Sequence, residues 1–200
     1  LYEAGFDRRH LDASSRIARS LLALFADRTD GGFFFTSEDH EALIARNRSL
    51  HDGALPSGAG VATETLLRLA AHLDDGDFRE AADRTLSAYR RSVERAPFAF
   101  ASLLAAADFA DGPVSEIVIV GDLADPRTGE LLEVARGRYL PNRVVALGRP
   151  GESAAGLPLL EGKAAVAGTP TAYVCRNREC SEPTTEPSAL ALALGLFTAP

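Results

Sequence analysis

The sequence predicts an α+β chain in two parts, with helices over residues 1–111 and a small α/β unit carrying a short parallel sheet over residues 112–200. Three observations lead there. Apolar residues recur at helical spacing as far as Phe109, β-branched runs take over after Asp111-Gly112-Pro113, and clusters of aspartate, glycine and proline punctuate the elements.

Leu11, Ile17, Leu21, Leu22, Leu24 and Phe25, with Arg16 and Arg19 between them, fit a first helix with one buried stripe, which Asp12 or Ser14 can cap. Asp30-Gly31-Gly32 ends it, because glycine reaches left-handed backbone angles without a Cβ clash. Helices are expected over Val61–Leu73 and Phe78–Val93, separated by the turn Asp74-Asp75-Gly76-Asp77, whose carboxylates suit the positive start of the second. Pro97 is suited to open a fourth helix, and the alanine-rich run Phe98–Phe109 reads as buried. Beyond the boundary, Glu116–Gly121 reads as a buried strand, Leu131–Tyr139 as a helix and Arg143–Leu147 as a second strand, an order that implies a parallel pair. Gly151–Gly168 has no clear period and reads as a loop with a short helix. Thr171–Cys175 is a third strand candidate, and Pro187–Leu196 a closing helix.

Composition narrows the function. The 200 residues are 46% hydrophobic and 24% charged, as in ordinary globular domains, and the net charge of -7 repels nucleic-acid phosphates and anionic membranes. Neither a nucleic-acid nor a membrane partner is expected. No apolar stretch reaches the roughly 18 residues of a membrane span, and the opening residues do not resemble a signal peptide, so a cytoplasmic location is expected. A leucine at position 1 and the absence of methionine suggest a sequence that begins inside a longer polypeptide.

The connector from Gly31 to Gly58 is long and rich in polar groups, as functional loops often are. Phe33, Phe34 and Phe35 beside the glycine turn can stack on a sugar ring or fill a core gap. Asp39, His40 and Glu41 read as a helix start with acidic side chains near its N-terminus. Arg46 and Arg48, two apart in an extended segment, share one face and can bind a carboxylate or phosphate, or lie solvated. In His51-Asp52-Gly53-Ala54-Leu55-Pro56-Ser57-Gly58, Asp52 can act as a general acid or base, orient His51 or Arg46, or simply stabilise the turn. Ser57 can contact a ligand or cap the next helix. The candidate site is therefore Asp52 and His51 as catalytic groups, with Arg46, Arg48, Phe34 and Ser57 holding substrate. His10, His40, His51 and His72 have no metal-site spacing, His72 reads as structural, and neither a metal nor a cofactor is expected. The strand ending at Gly121-Asp122 is followed by no glycine-rich nucleotide fingerprint. Cys175 and Cys180 lack both the spacing and the second pair of a four-sulfur site. Free thiols, a local disulfide or a redox pair remain as readings.

Four motifs in order, GGFFFT at Gly31–Thr36, DGALPSG at Asp52–Gly58, EIVIVGD at Glu116–Asp122 and TAYVCRNREC at Thr171–Cys180, resemble the spermatogenesis-associated protein 20 family of thioredoxin-domain-containing proteins. The resemblance covers nearly the whole chain. It implies an N-terminal thioredoxin-like domain, then an (α/α) toroid similar to six-hairpin glycosidases, then a small α/β unit. On that comparison residues 1–111 are the last toroid helices, and the thioredoxin-like domain with its own cysteines lies upstream. The family's DGA-x-PSGN-Ser pattern has Ala59 and Gly60 in its last two places here, and Arg46-Asn47-Arg48 stands where Arg-Pro-Lys is frequent.

Two functions follow as expectations. One is a site for a carbohydrate-like or other polar small molecule at the toroid mouth, built from the Gly31–Gly58 connector. The other is a non-catalytic scaffold that docks the thioredoxin-like domain of the full-length protein or another protein. A partial toroid also exposes apolar helix faces, which a homo-oligomer would cover.

Overall fold

Seven helices and a four-stranded sheet make up the computed structural model, which describes residues 1–41, 45–48, 51–137, 139–151, 154–176 and 179–195. The chain divides after Gly112 into two compact units. Asp7–Gly112 together with Tyr2 form the helical unit, and Pro113 onward together with Leu1 and Glu3–Phe6 form the α/β unit.

After the short α1 (Tyr2–Gly5), α2 (Arg8–Leu24) starts earlier than its apolar stripe suggests. Its cap is Asp7, which accepts from the Arg9 amide at 3.0 Å, rather than Asp12 or Ser14. In α3 (Gly58–Leu73) the cap is Ser57, accepting from the Gly60 amide at 3.1 Å. Asp74 takes a left-handed conformation to end α3, and Asp75 caps α4 (Gly76–Arg95) by accepting from the Asp77 and Phe78 amides. The acidic turn thus serves the helix dipole as expected. It also anchors Arg19 of α2, which pairs with Asp75 and, at 2.9 Å, with Asp77.

Pro97 opens a single 3-10 turn (Pro97–Ala99) rather than the fourth helix, which is α5 (Ala101–Asp111). The run is also less buried than its composition suggests. Phe98 is 100% exposed and Leu104 41%, whereas Phe100, Leu103, Ala106 and Phe109 are buried. α3 packs against both α4 and α5. Leu66 and Leu67 of α3, Phe78 of α4, Phe100, and Leu103 of α5 are all buried.

In the α/β unit, β1 (Ser115–Val120), α6 (Pro126–Gly137) and β2 (Arg143–Gly148) give the expected parallel pair. Helix α6 begins before the apolar run, at the Asp125-Pro126 start signal, with Asp125 accepting from the Arg127 amide at 3.0 Å. β3 (Thr171–Arg176) pairs antiparallel with the other side of β1, and β4 (Glu179–Cys180) adds a short edge strand, giving the order β2-β1-β3-β4. β1 is the central strand with a neighbour on each side, and its Ile117, Val118 and Ile119 are fully buried, so it shows no polar alternation. Ile117, Ile119, Val145, Leu147, Ala172 and Val174 face Leu131 and Leu132 of α6 and Leu190 and Leu194 of α7 (Pro187–Gly195). Within Gly151–Gly168, a 3-10 turn at Pro158–Leu160 sets Leu160 beside Gly148, where a Cβ would lie 2.9 Å from the leucine side chain.

Candidate functional site

The connector begins at two glycines where a side chain would be strained and would crowd α4. Gly31 and Gly32 have φ of 84° and 85°, and a Cβ would lie 2.8 Å from the Arg84 carbonyl oxygen at the first and 2.8 Å from the Tyr89 ring at the second. The chain then runs back along itself. Phe34 N–H donates to the Phe25 carbonyl at 2.9 Å, and Phe35 N–H donates to that of Asn47 at 2.7 Å. The three phenylalanines part company, with Phe33 buried, Phe34 half-buried and Phe35 exposed.

Arg46 and Arg48 do share one face, as their spacing requires. Both guanidinium groups lie over the Phe34 ring, 4.1 Å and 5.2 Å from its centre. Both are also engaged at their tips. Arg46 donates to the carbonyls of Thr36 and, at 3.1 Å, Leu24. Arg48 pairs with Asp27 and, at 3.1 Å, with Asp30. Asp27 is buried and its other oxygen accepts from the Thr29 and Asp30 amides. Burial works to raise the Asp27 pKa, but those two amides and the two arginines prevail and hold it below the ordinary value. The Tyr89 hydroxyl is shifted the other way, upward, chiefly by burial, with Arg48 partly offsetting it.

Asp52 stands apart from this cluster and binds neither His51 nor Arg46. It accepts from the Ser57 amide at 2.7 Å, the Ser102 amide at 2.7 Å and the Ser102 hydroxyl at 2.5 Å. The reason lies in α5, whose own N-cap position, Phe100, has no side chain able to accept a hydrogen bond. Asp52 supplies from the connector the acceptor that the start of α5 lacks, and its charge suits the helix dipole. Through Ser57 the same carboxylate grips the start of α3, and the Ser57 and Ser102 hydroxyls lie 3.1 Å apart. Gly60 is required here because a Cβ would sit 2.6 Å from Ser102 Cβ. Burial acts to raise the Asp52 pKa, yet the Ser102 hydroxyl, the two amides and Ser57 bring it down to about 2.

His51 is exposed, its ring 5.0 Å from that of Phe100. His72 is buried at the end of α3, edge-on to Tyr2. Residues 37–40 form turns and His40 is exposed. The helix start suggested at Asp39–Glu41 runs into positions 42–44, outside the described residues. Two surface grooves of the helical unit follow α4, one of about 580 Å³ toward α5 over Leu86, Val93 and Leu103, the other of about 680 Å³ lined by Asp30, Arg79 and Arg84. Phe34, Arg46, Arg48, His51, Asp52 and Ser57 line neither. Among the described residues, no three or more histidine, cysteine, aspartate or glutamate side chains gather so that they could hold a metal ion. Cys175 and Cys180 are joined in a disulfide between β3 and β4.

No family model matches the chain. Human (Homo sapiens) spermatogenesis-associated protein 20 is 31% identical to it over 194 residues, 95% of this chain and 25% of that protein. The Rattus norvegicus protein of the same name is likewise 31% identical, and that of Mus musculus 30%, each with the same coverage. Nearly the whole chain is thus similar to one region of spermatogenesis-associated protein 20. It spans about a quarter of the length of the curated relatives it matches.

The fold brings together residues whose partnership no local pattern signals. Ser102 is hidden in an alanine-rich run, but it is the only hydroxyl in the first turn of a helix preceded by Phe100, and an uncapped helix start of that kind calls for an outside acceptor. Asp27 and Asp30 precede the glycine pair and were readable as turn residues. Their union with Arg48 was not, because it depends on the connector folding back.

Proposed function

We propose that this chain is a non-catalytic scaffold module, the C-terminal region of a longer protein in which residues 1–111 are hairpins of an (α/α) toroid and the thioredoxin-like domain is the docked partner, in the cytoplasm. The observation that carries this reading is the state of Asp52, whose oxygens are occupied by three donors that fasten the starts of α3 and α5. A carboxylate with a pKa of about 2 is a weak base at neutral pH, far from the value that general acid–base catalysis favours. Arg46 and Arg48 are likewise spent on carbonyls, on two aspartates and on Phe34. Leu55, Val61 and Phe98, exposed near the starts of the same helices, support a docking role for that end of the helical unit. No described helix is long and apolar enough to cross a membrane, which is compatible with the location proposed.

The competing reading is a site for a carbohydrate-like ligand centred on Asp52, His51 and the two arginines. It requires the ligand to displace hydrogen bonds that hold two helix starts. Calorimetric titration of the chain with a panel of mono- and disaccharides separates the two. The scaffold reading expects no saturable binding, and a lower melting temperature for Asp52→Asn. A sugar that binds the wild type, and whose binding Asp52→Asn abolishes at unchanged melting temperature, would overturn it.

A further inference from the structure

The geometry points to the Cys175–Cys180 disulfide as a one-sided thiol–disulfide exchange site, open to an external dithiol at Cys180 and closed at Cys175. The two cysteines are directly opposed in the β3–β4 register, with Arg176 opposite Glu179 beside them. Their surroundings differ sharply. Cys175 is 2% exposed and lies in a strand hydrogen-bonded on both sides, opposite Glu116 of β1 as well as Cys180. Cys180 is exposed, on the two-residue strand at the edge of the sheet. Exchange requires a thiolate to approach a sulfur along the line of the bond that breaks, so access decides which sulfur is attacked. Here it selects Cys180.

The exchange balances as follows. One thiolate of the dithiol bonds to Cys180 Sγ, the Sγ–Sγ bond breaks, and Cys175 leaves as a thiolate that takes up a proton. The second thiol of the reductant then attacks its own sulfur in the mixed disulfide and expels Cys180 as a thiolate, which is protonated in turn. Two electrons and two protons reach the cysteine pair, and the dithiol becomes a disulfide. The backbone holds the site together meanwhile. Ser181 N–H donates to the Val174 carbonyl at 2.9 Å, and Ala172 and Thr184 exchange bonds of 2.7 Å and 3.0 Å. Cys175 therefore stays opposite Cys180 and serves as the resolving thiol on the return path.

The test uses glutathione on the 200-residue chain with intact-mass and peptide-mass readout. Native Cys175→Ser should take up one glutathione from oxidised glutathione at Cys180, and native Cys180→Ser should take up at least tenfold less until guanidinium is added. Far-UV circular dichroism reports whether each variant is folded. Should either fail to fold, the wild type answers directly, because limiting reduced glutathione should give a mixed disulfide that maps to Cys180. Equal labelling of the two variants, an adduct mapping to Cys175, reduction only upon unfolding, or two freely alkylated thiols in the wild type without reductant would each overturn the assignment.

Discussion

The two units of this chain are held together by different means. In the α/β unit the backbone does most of the fastening, with β1 registered against β2 on one side and β3 on the other, and the side chains mainly fill the two faces. In the helical unit the backbone bonds of α2 to α5 run within each helix except at the helix starts, and the described residues of the connector between α2 and α3 make only a few backbone bonds. Side chains take over there. Asp27 with Arg48, Arg46 with two carbonyls, and Asp52 with Ser57 and Ser102 act as fasteners. A cluster of charged residues in a long loop can therefore mark mechanical need as much as chemistry.

The largest effect expected from breaking this contrast is at Asp52. Asp52→Ala strands two amides and a hydroxyl at the starts of α3 and α5, and should cost roughly 3 to 4 kcal/mol in denaturant unfolding of the helical unit. Protection of the α/β unit in hydrogen exchange should be unchanged. Next comes Gly60→Ala, whose new methyl meets Ser102 and should cost about 2 to 3 kcal/mol, with partial recovery in the double variant with Ser102→Gly.

Acid should release the same fastener. The folded pKa of Asp52 lies near 2, below its ordinary 3.8, so its contribution is complete above pH 3.8 and drains away as the pH falls from there toward 2. That loss amounts to about 2 kcal/mol and should be absent from the pH profile of Asp52→Asn. In the α/β unit, removing the disulfide with Cys175→Ala and Cys180→Ala should cost no more than about 2 kcal/mol, since the bridge spans a separation of only five residues, and faster exchange should be confined to the segment around Ser181 and Thr184. The smallest effect should come from Arg90→Ala. Its i,i+4 pair with Glu94 is exposed on both sides, and its loss should move stability by less than about 0.5 kcal/mol.

The fold was more legible than the site. The apolar run of β1 announces a central strand whichever neighbours it acquires, and the cap at Ser57 needs only the local backbone. The start of α5 was misplaced because Pro97 is equally suited to a 3-10 turn, and exposed Phe98 looks like core in a list of apolar residues. β4 escaped notice because two residues carry no period. At the connector, the shared face of Arg46 and Arg48 was readable from alternation alone, whereas their occupation by Phe34, Asp27 and carbonyl oxygens was not.

The amino-acid sequence by itself determined the α+β character, the parallel pair flanking α6, the cap at Ser57, the acidic turn suited to the start of α4, and the similarity to spermatogenesis-associated protein 20. These depend on periodicity and on interactions reaching a few residues along the chain. Only the tertiary structure decided that Asp52 serves Ser102, fifty positions away, that β3 lies antiparallel to β1, and that one sulfur of the cysteine pair is buried and the other exposed. A carboxylate has the same composition whether its lone pairs are free for chemistry or filled by a distant helix start, and folding alone brings that second helix to it.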